Sequence, residues 1–172
     1  MALPPESYVD SMPCDPDLLV ELGRVTWAAA RLHAGVRDTI NSHQGATSDK
    51  PFGMTLGQAV SSLEESAKIA GRVDQVNWVA NIGRPAVKMR NGVVHAVTYT
   101  ADGGQQALGT VDHTPPDRFL IDNLRQVTLH LIHASMTLAS LTGRRPSTEA
   151  GFAAIVAAGE HLLDRQLATG LR

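Results

Sequence analysis

The segment Arg90-Asn91-Gly92-Val93-Val94-His95 carries two side chains that are well suited to chemistry on a phosphodiester. Arginine has a permanent positive charge and a planar fork of donors that fits the oxygens of a phosphate group. Histidine is the side chain that accepts or releases a proton near neutral pH. Together these groups could bind or cleave a phosphodiester without a metal ion. Whether they can meet at one phosphate depends on the elements that position Arg90 and His95.

The composition is that of one globular and mainly helical domain. The chain has 172 residues, of which 43% are hydrophobic and 19% are charged, and Phe, Tyr and Trp are few. Such a chain can bury a sizeable core, and its balance of residues favours helices over strands. The net charge of −2 provides no overall attraction for nucleic acid, so an RNA contact would need a local basic patch. The basic pair Arg31 and Arg37 is more typical of solvated helix charges than of an RNA groove.

Cys14 is the single cysteine, so no intrachain disulfide can form, and this favours a cytoplasmic protein. The neighbouring Asp15 disfavours a thiolate, so we do not expect Cys14 to be a nucleophile. No apolar run approaches the length of a membrane span, and the N-terminus lacks the basic and apolar regions of a signal peptide. The sequence therefore predicts a soluble protein with no membrane partner.

Helix signals divide the chain into an irregular leader at 1–15 and a single helical domain at 16–172. Asp15 is suited to cap a helix, and Pro16 is suited to its first position. Apolar residues then recur at steps of three and four along the chain. This spacing predicts a long amphipathic helix that ends near His43.

The next two helices are marked by a cap and by possible interruptions. Thr55–Gln58 has the Thr-x-x-Gln pattern of a capping box, which predicts a second helix that Gly71 ends. Apolar spacing predicts a third helix over about Val73–His95. Gly83 and Pro85 lie inside it, so we expect a kink or a break there.

After the third helix the pattern changes to that of a small β insertion. Alternating residues around Asp102-Gly103-Gly104 predict a β-hairpin over about 97–111. The pattern Thr114-Pro115-Pro116-Asp117 predicts the start of another helix that runs to Gly143, and a last helix is expected over about 147–168. The predicted fold is an all-α, up-and-down bundle of four to five helices with a β-hairpin insertion after the helix that carries Arg90.

Three segments of the chain resemble members of the HEPN superfamily (higher eukaryotes and prokaryotes nucleotide-binding domains). Met89–Ala96 matches the Arg-Asn-x-x-x-His signature of that superfamily, and Arg24–His33 and Met54–Val60 resemble prokaryotic members. The resemblance covers roughly residues 16–141. It implies an up-and-down helical bundle whose motif lies on the later part of an internal helix.

The resemblance implies a cytoplasmic, metal-independent endoribonuclease of the toxin or phage-defence type, with no cofactor. His95 would be the general base for the ribose 2′-hydroxyl or the general acid for the leaving 5′-oxygen. Arg90 would stabilise charge in the transition state, and Asn91 would hold the imidazole or bind the phosphate. RNA, and not DNA, is the expected substrate. The expected protein partners are a second copy, which binds through the motif helix, and an antitoxin.

Helix geometry limits what one copy of the motif can do. Asn91 and His95 share a face of an ideal helix, whereas Arg90 lies about 140° from His95. Arg90 could reach the same phosphate through its long side chain or after unwinding at Gly92, which lowers helix stability. In the resembled family the site is usually assembled from two facing copies, which would remove this limit.

Two alternatives to catalysis stay open. The chain could be a non-catalytic HEPN-like module that binds a protein or a nucleotide, which its acidic balance favours. Alternatively, Arg90 could pair with a carboxylate such as Asp74 or Asp117, and His95 could cap the end of its helix.

The other histidines offer weaker candidate sites. His130 and His133 are three residues apart on a predicted helix, a spacing compatible with one metal ion. No Asp, Glu or Cys accompanies them at the next helical turn, so core or interface histidines are the simpler interpretation. His33 is interpreted in the same way, and His113 has no assigned role.

Overall fold

The computed structural model describes residues 15–45, 53–100, 106–109 and 118–142, with the single positions 5 and 7. The elements are α1 (Pro16–His43), α2 (Leu56–Ile69), α3 (Val73–Trp78), a π-helical turn (Val79–Gly83), α4 (Arg84–Val94), β1 (Val97–Thr100), β2 (Gln106–Gly109), β3 (Arg118–Phe119) and α5 (Ile121–Leu141). The predicted all-α bundle with a small β insertion is confirmed. The predicted last helix and nearly all of the predicted leader lie outside the described residues.

The helix starts follow from local capping interactions. The Asp15 carboxylate accepts hydrogen bonds from two backbone amides of the first turn of α1, at 2.9 and 3.4 Å. Thr55 and Gln58 form the predicted reciprocal box at the start of α2, with bonds of 2.9 and 3.3 Å. Gly71, with a φ of +68°, follows the end of α2, because glycine adopts the left-handed conformation without steric cost.

The interruption expected near Gly83 and Pro85 is a π-helical turn within a continuous helical rod. The amide of Arg84 donates to the carbonyl of Val79, five residues earlier, so this turn contains one residue more than an α-helical turn. Pro85 has no amide hydrogen to donate four residues back. The wider turn is therefore compatible with a proline that an α-helix interior would not accommodate well.

Trp78 holds the rod against α5. Its side chain is buried, and its Nε1 donates to Thr137 Oγ1 at 2.9 Å. The indole ring also covers Gly83, where an added Cβ would lie 2.8 Å from the ring. A larger residue at position 83 would therefore displace the tryptophan that connects the rod to α5.

The core lies between α1, α2, α5 and the rod formed by α3 and α4. Its largest fully buried apolar side chains come from α1, α2 and α5: Leu32, Leu63, Leu124, Leu131 and Leu138. The N-terminal parts of α1 and α5 are joined by Glu21, which is only 2% exposed. Its Oε1 accepts from Arg24 at 2.7 Å and from Arg125 at 2.8 Å, so this buried charge is paired, as burial requires. None of the helices in the described ranges is both long and apolar enough to cross a membrane.

The β insertion is an antiparallel sheet in the order β1-β2-β3. The predicted hairpin is confirmed by the pairing of Val97 with Gly109 and of Thr100 with Gln106. The third strand was not predicted, and it pairs Phe119 with Leu108.

The predicted start of the helix at Thr114 is wrong, because α5 begins only at Ile121. Strand pairing holds Phe119 outside the helix, and its ring lies over Gly92 of α4, 3.2 Å from where a Cβ would stand. The side-chain oxygen of Asn123 accepts the amide hydrogen of Leu120 at 3.1 Å. This bond satisfies a backbone donor at the actual helix start.

Candidate functional site

The Arg90–His95 motif occupies the last turns of α4, as predicted for the end of the third helix. The amide of His95 donates to the carbonyl of Asn91 at 3.0 Å, which is the ordinary α-helical spacing. The unwinding considered at Gly92 is therefore not observed. Arg90 and His95 stay about 140° apart around the helix axis, as on an ideal helix.

Arg90 is half-buried, and its Nη1 donates to the side-chain oxygen of Asn91 at 3.1 Å. Asn91 thus holds the guanidinium in this structure, and its side chain has no bond to the imidazole of His95. Asp74, one suggested partner of Arg90, instead binds Arg72 at 2.8 and 3.1 Å. The other suggested partner, Asp117, lies outside the described residues. Within the described ranges no carboxylate binds Arg90.

His95 is exposed at the C-terminal end of α4. Its side chain makes no hydrogen bond within the described part of the chain, so the suggested side-chain cap of the last carbonyls is not observed there. An exposed imidazole can exchange protons with solvent and is accessible to a bound substrate.

A second histidine, His33 of α1, is affected by the positive charge of Arg90. It borders a shallow pocket that is lined by Ala30, His33, Ala34 and Arg37. These residues share one face of α1, since they lie three or four positions apart. The lining of the pocket thus includes a further arginine, Arg37.

The environment of His33 lowers the pKa of its imidazole below the ordinary value. Burial is the main cause, and the positive charges of Arg37 and Arg90 add to it. Both effects disfavour the protonated ring. The neutral form of the His33 imidazole is therefore favoured near neutral pH.

Spacing along the sequence does not connect His33 and Arg37 with the motif. The residue types favour a solvated helix charge for Arg37 and a core or interface histidine for His33. One signal was present: His33 and Arg37 are one helical turn apart, and the adjacent positions on their face are Ala30 and Ala34. Ala30 and Ala34 are small and leave space beside the longer side chains of His33 and Arg37. The nearness of Arg90 could not be inferred from spacing along the chain.

The lowered pKa of His33 predicts that acid destabilises the fold. The unfolded chain binds a proton on His33 at about pH 6.5, whereas the folded chain binds it only at lower pH. The contribution of His33 to the stability of the folded state should therefore be complete above the pKa that this histidine has in the unfolded chain. That contribution should be lost as the pH falls from there through the lower pKa of the folded state. Urea unfolding at a series of pH values should show that the free energy of unfolding declines toward acid pH. This decline should be smaller in His33→Gln than in the wild type. The exposed His133→Gln variant is the control, and equal declines in wild type and His33→Gln would contradict this prediction.

His130 and His133 are both exposed on α5. The Nδ1 atom of His130 lies 2.8 Å from the carbonyl oxygen of Gln126, one turn earlier. Within the described residues, no three His, Cys, Asp or Glu side chains come together as a metal site. His113 lies outside the described ranges.

No family model, no curated protein and no solved structure matches this chain. The resemblance to HEPN domains therefore rests on the residues of the chain itself, above all on Arg90, Asn91 and His95.

Proposed function

We propose that the protein is a metal-independent endoribonuclease that cleaves RNA through attack of a ribose 2′-hydroxyl on the adjacent phosphodiester. The observation that supports the proposal is the environment of the Arg90 guanidinium. Its guanidinium is half-buried and bound to Asn91, and no carboxylate neutralises it within the described residues. A guanidinium held in this way is suited to bind a phosphate and to stabilise the charge that develops during its cleavage.

The reaction requires one proton to leave and one to arrive. The 2′-oxygen gives up its proton and forms a bond to phosphorus, while the bond from phosphorus to the 5′-oxygen breaks and that oxygen gains a proton. The products are a 2′,3′-cyclic phosphate and a free 5′-hydroxyl. The exposed imidazole of His95 would perform one of these proton transfers, and Arg90 would bind the phosphate oxygens.

The biological setting is part of this proposal and is supported by the HEPN-like motif. The enzyme would act on RNA in the cytoplasm as a toxin or phage-defence nuclease. A nuclease of this type needs restraint in its own cell, and an antitoxin protein is the partner that would provide it.

A second copy of the chain would complete the site. The regular geometry of α4 keeps Arg90 and His95 about 140° apart, so one chain does not turn both side chains toward the same phosphate. Two α4 helices facing each other across a two-fold axis would let Arg90 of one chain work with His95 of the other. We therefore predict a homodimer through α4. Sedimentation of a monomer at about tens of micromolar protein, a concentration at which weak dimers are still populated, would contradict this prediction.

The proposed reaction can be tested with RNA in the presence of EDTA. Arg90 and His95 can supply both charge stabilisation and proton transfer, so cleavage should persist without divalent ions. Its products should carry 2′,3′-cyclic phosphate ends, and a substrate with 2′-deoxyribose at the cleaved position should stay intact. Activity that EDTA abolishes and a divalent ion restores would contradict a metal-independent reaction.

A second candidate function, a non-catalytic module that binds a protein, is favoured by one specific observation. Trp27 of α1 is 57% exposed, and Val20, two helical turns earlier on the same helix, is 46% exposed. Exposed tryptophans are typical of residues that anchor protein interfaces. Intact RNA after incubation with the wild-type protein, with and without divalent ions, would favour this function.

A further inference from the structure

One face of α4 presents His95 together with two cationic side chains of the same chain. The residues of this face follow one another at steps of four, three and four positions: Arg84, Lys88, Asn91 and His95. At about 100° per residue, these steps place all of them within about 60° of one another. Arg84, Lys88 and His95 are exposed, and Asn91 is half-buried. The imidazole thus shares its face with Lys88 and Arg84, whereas Arg90 lies about 140° away from it.

Lys88 is the cation on this face that is free to bind a ligand. Its side chain is exposed, and no carboxylate pairs with it in the part of the chain that the structure describes. Arg84 differs, because its Nη2 donates to Glu64 Oε2 at 2.5 Å. Lys88 precedes His95 by seven residues, which corresponds to about 10 Å along the helix axis. Its flexible four-carbon side chain can reach along the face from there.

The surroundings of Lys88 are positive although the chain as a whole is acidic. The Glu64 carboxylate of α2 binds Lys68 at 2.8 Å and Arg84 at 2.5 Å, and Lys88 is one helical turn beyond Arg84 on the same face. These three cations and one carboxylate give a net charge of +2, whereas the whole chain has −2. Glu65 is turned about 100° away from Glu64 around α2. This face therefore supplies the local basic patch that an RNA contact needs.

We infer that this face binds the backbone of single-stranded RNA, with Lys88 bound to a phosphate that flanks the cleaved one. His95 would then stand at the cleaved phosphate, and Lys88 would be a positioning residue that holds the strand in register with it. This inference rests on the proposed function, because it assigns the face to the same RNA substrate. A single strand is favoured because its flexible backbone can follow a row of cations along a helix, independently of sequence.

The first test measures binding of the full-length protein to 2′-O-methyl RNA of about ten nucleotides, which lacks the attacking hydroxyl. Lys88→Gln should weaken binding about five- to tenfold at about 0.1 M salt. It should also lower the slope of log affinity against log salt by about 0.7, the contribution of one phosphate contact in a single strand. Lys88→Arg retains the charge and should keep both values.

Arg31→Gln is the matched control for Lys88→Gln. It removes one positive charge from another helix, α1, and Arg31 likewise has no carboxylate partner within the described ranges. Because its charge lies outside the face on α4, the control should change RNA affinity by less than about twofold and leave the salt slope unchanged.

In an active enzyme, Lys88 should act through binding alone. Lys88→Gln should raise the KM for an RNA of about ten nucleotides about five- to tenfold and leave kcat within about twofold of the wild-type value. A dinucleotide contains only the phosphate that is cleaved, so it has no flanking phosphate for Lys88. The wild type and Lys88→Gln should therefore cleave a dinucleotide with the same kcat/KM.

Equal affinities and salt slopes in Lys88→Gln and Arg31→Gln would overturn this assignment, even if the enzyme cleaves RNA. A lower affinity with an unchanged slope would also overturn it, because no phosphate contact would have been lost. A wild-type protein that binds no RNA would overturn it and favour an acidic protein as the occupant of this face. The proposed function fails separately: a protein whose RNA affinity and salt slope depend on Lys88, but which leaves every RNA intact, would retain the face and refute the nuclease.

Discussion

Replacing His95 with alanine is expected to slow the chemical step of RNA cleavage by about two to four orders of magnitude, because one proton transfer loses its catalyst. RNA affinity should change little, since an exposed imidazole at the end of α4 contributes little to binding the backbone. Single-turnover cleavage in EDTA measures the rate of the chemical step. A binding assay with the uncleavable 2′-deoxy substrate measures the affinity for the substrate. His133→Ala, another exposed histidine on a helix, is the control and should cleave at the wild-type rate.

The other two motif residues should give different patterns. Arg90→Ala should reduce both RNA binding and cleavage, because the phosphate contact exists before and during the reaction. Arg90→Lys should restore only part of the activity, since lysine lacks the planar fork. Asn91→Ala should have a milder effect, as its side chain holds Arg90 through a bond of 3.1 Å. Three folded variants that cleave at the wild-type rate would exclude these roles.

Trp78→Ala is expected to lower the free energy of unfolding by about 3–5 kcal/mol, the cost of removing a buried aromatic side chain. The substitution removes the bond to Thr137 and leaves space beside Gly83. Trp27→Ala is the control within the same chain, because this tryptophan is 57% exposed and should cost less than about 0.5 kcal/mol in a monomer. Urea unfolding followed by circular dichroism compares the two. Similar losses of stability would show that Trp78 does not pack as described.

The features that could be predicted from the sequence are those that depend on neighbouring residues. Asp15 with Pro16 and Thr55 with Gln58 determine their helix starts through bonds within one turn, so their residue types suffice. The hairpin was predictable for the same reason, since its two strands are joined by a short Gly-containing segment. Apolar spacing likewise revealed which faces of the long helices are buried.

The features that could not be predicted depend on contacts between distant parts of the chain. Phe119 is in a strand because β2 pairs with it, and a Pro-rich pattern alone predicts a helix there. His33 and Arg90 are 57 positions apart in the sequence, and only folding brings His33 under the influence of the charge of Arg90. The motif could therefore be identified from residue types, whereas the pocket that His33 and Arg37 form on α1 could not.

The π-helical turn between α3 and α4 has a consequence for the direction in which the motif points. Each residue of an α-helix advances the rotation about the axis by about 100°, and the wider turn takes up one additional residue. If the same residues were wound as a regular α-helix, α4 would be rotated by about that angle relative to α3, and Arg90 would point in a different direction. Deleting one residue from Val79–Gly83 would instead restore regular winding and leave the direction of α4 nearly unchanged, because the wider turn already takes up the additional residue. The angular phase of the cation is therefore set by the winding of this turn, so a substitution or an insertion that alters the turn can change the site without altering any of its side chains.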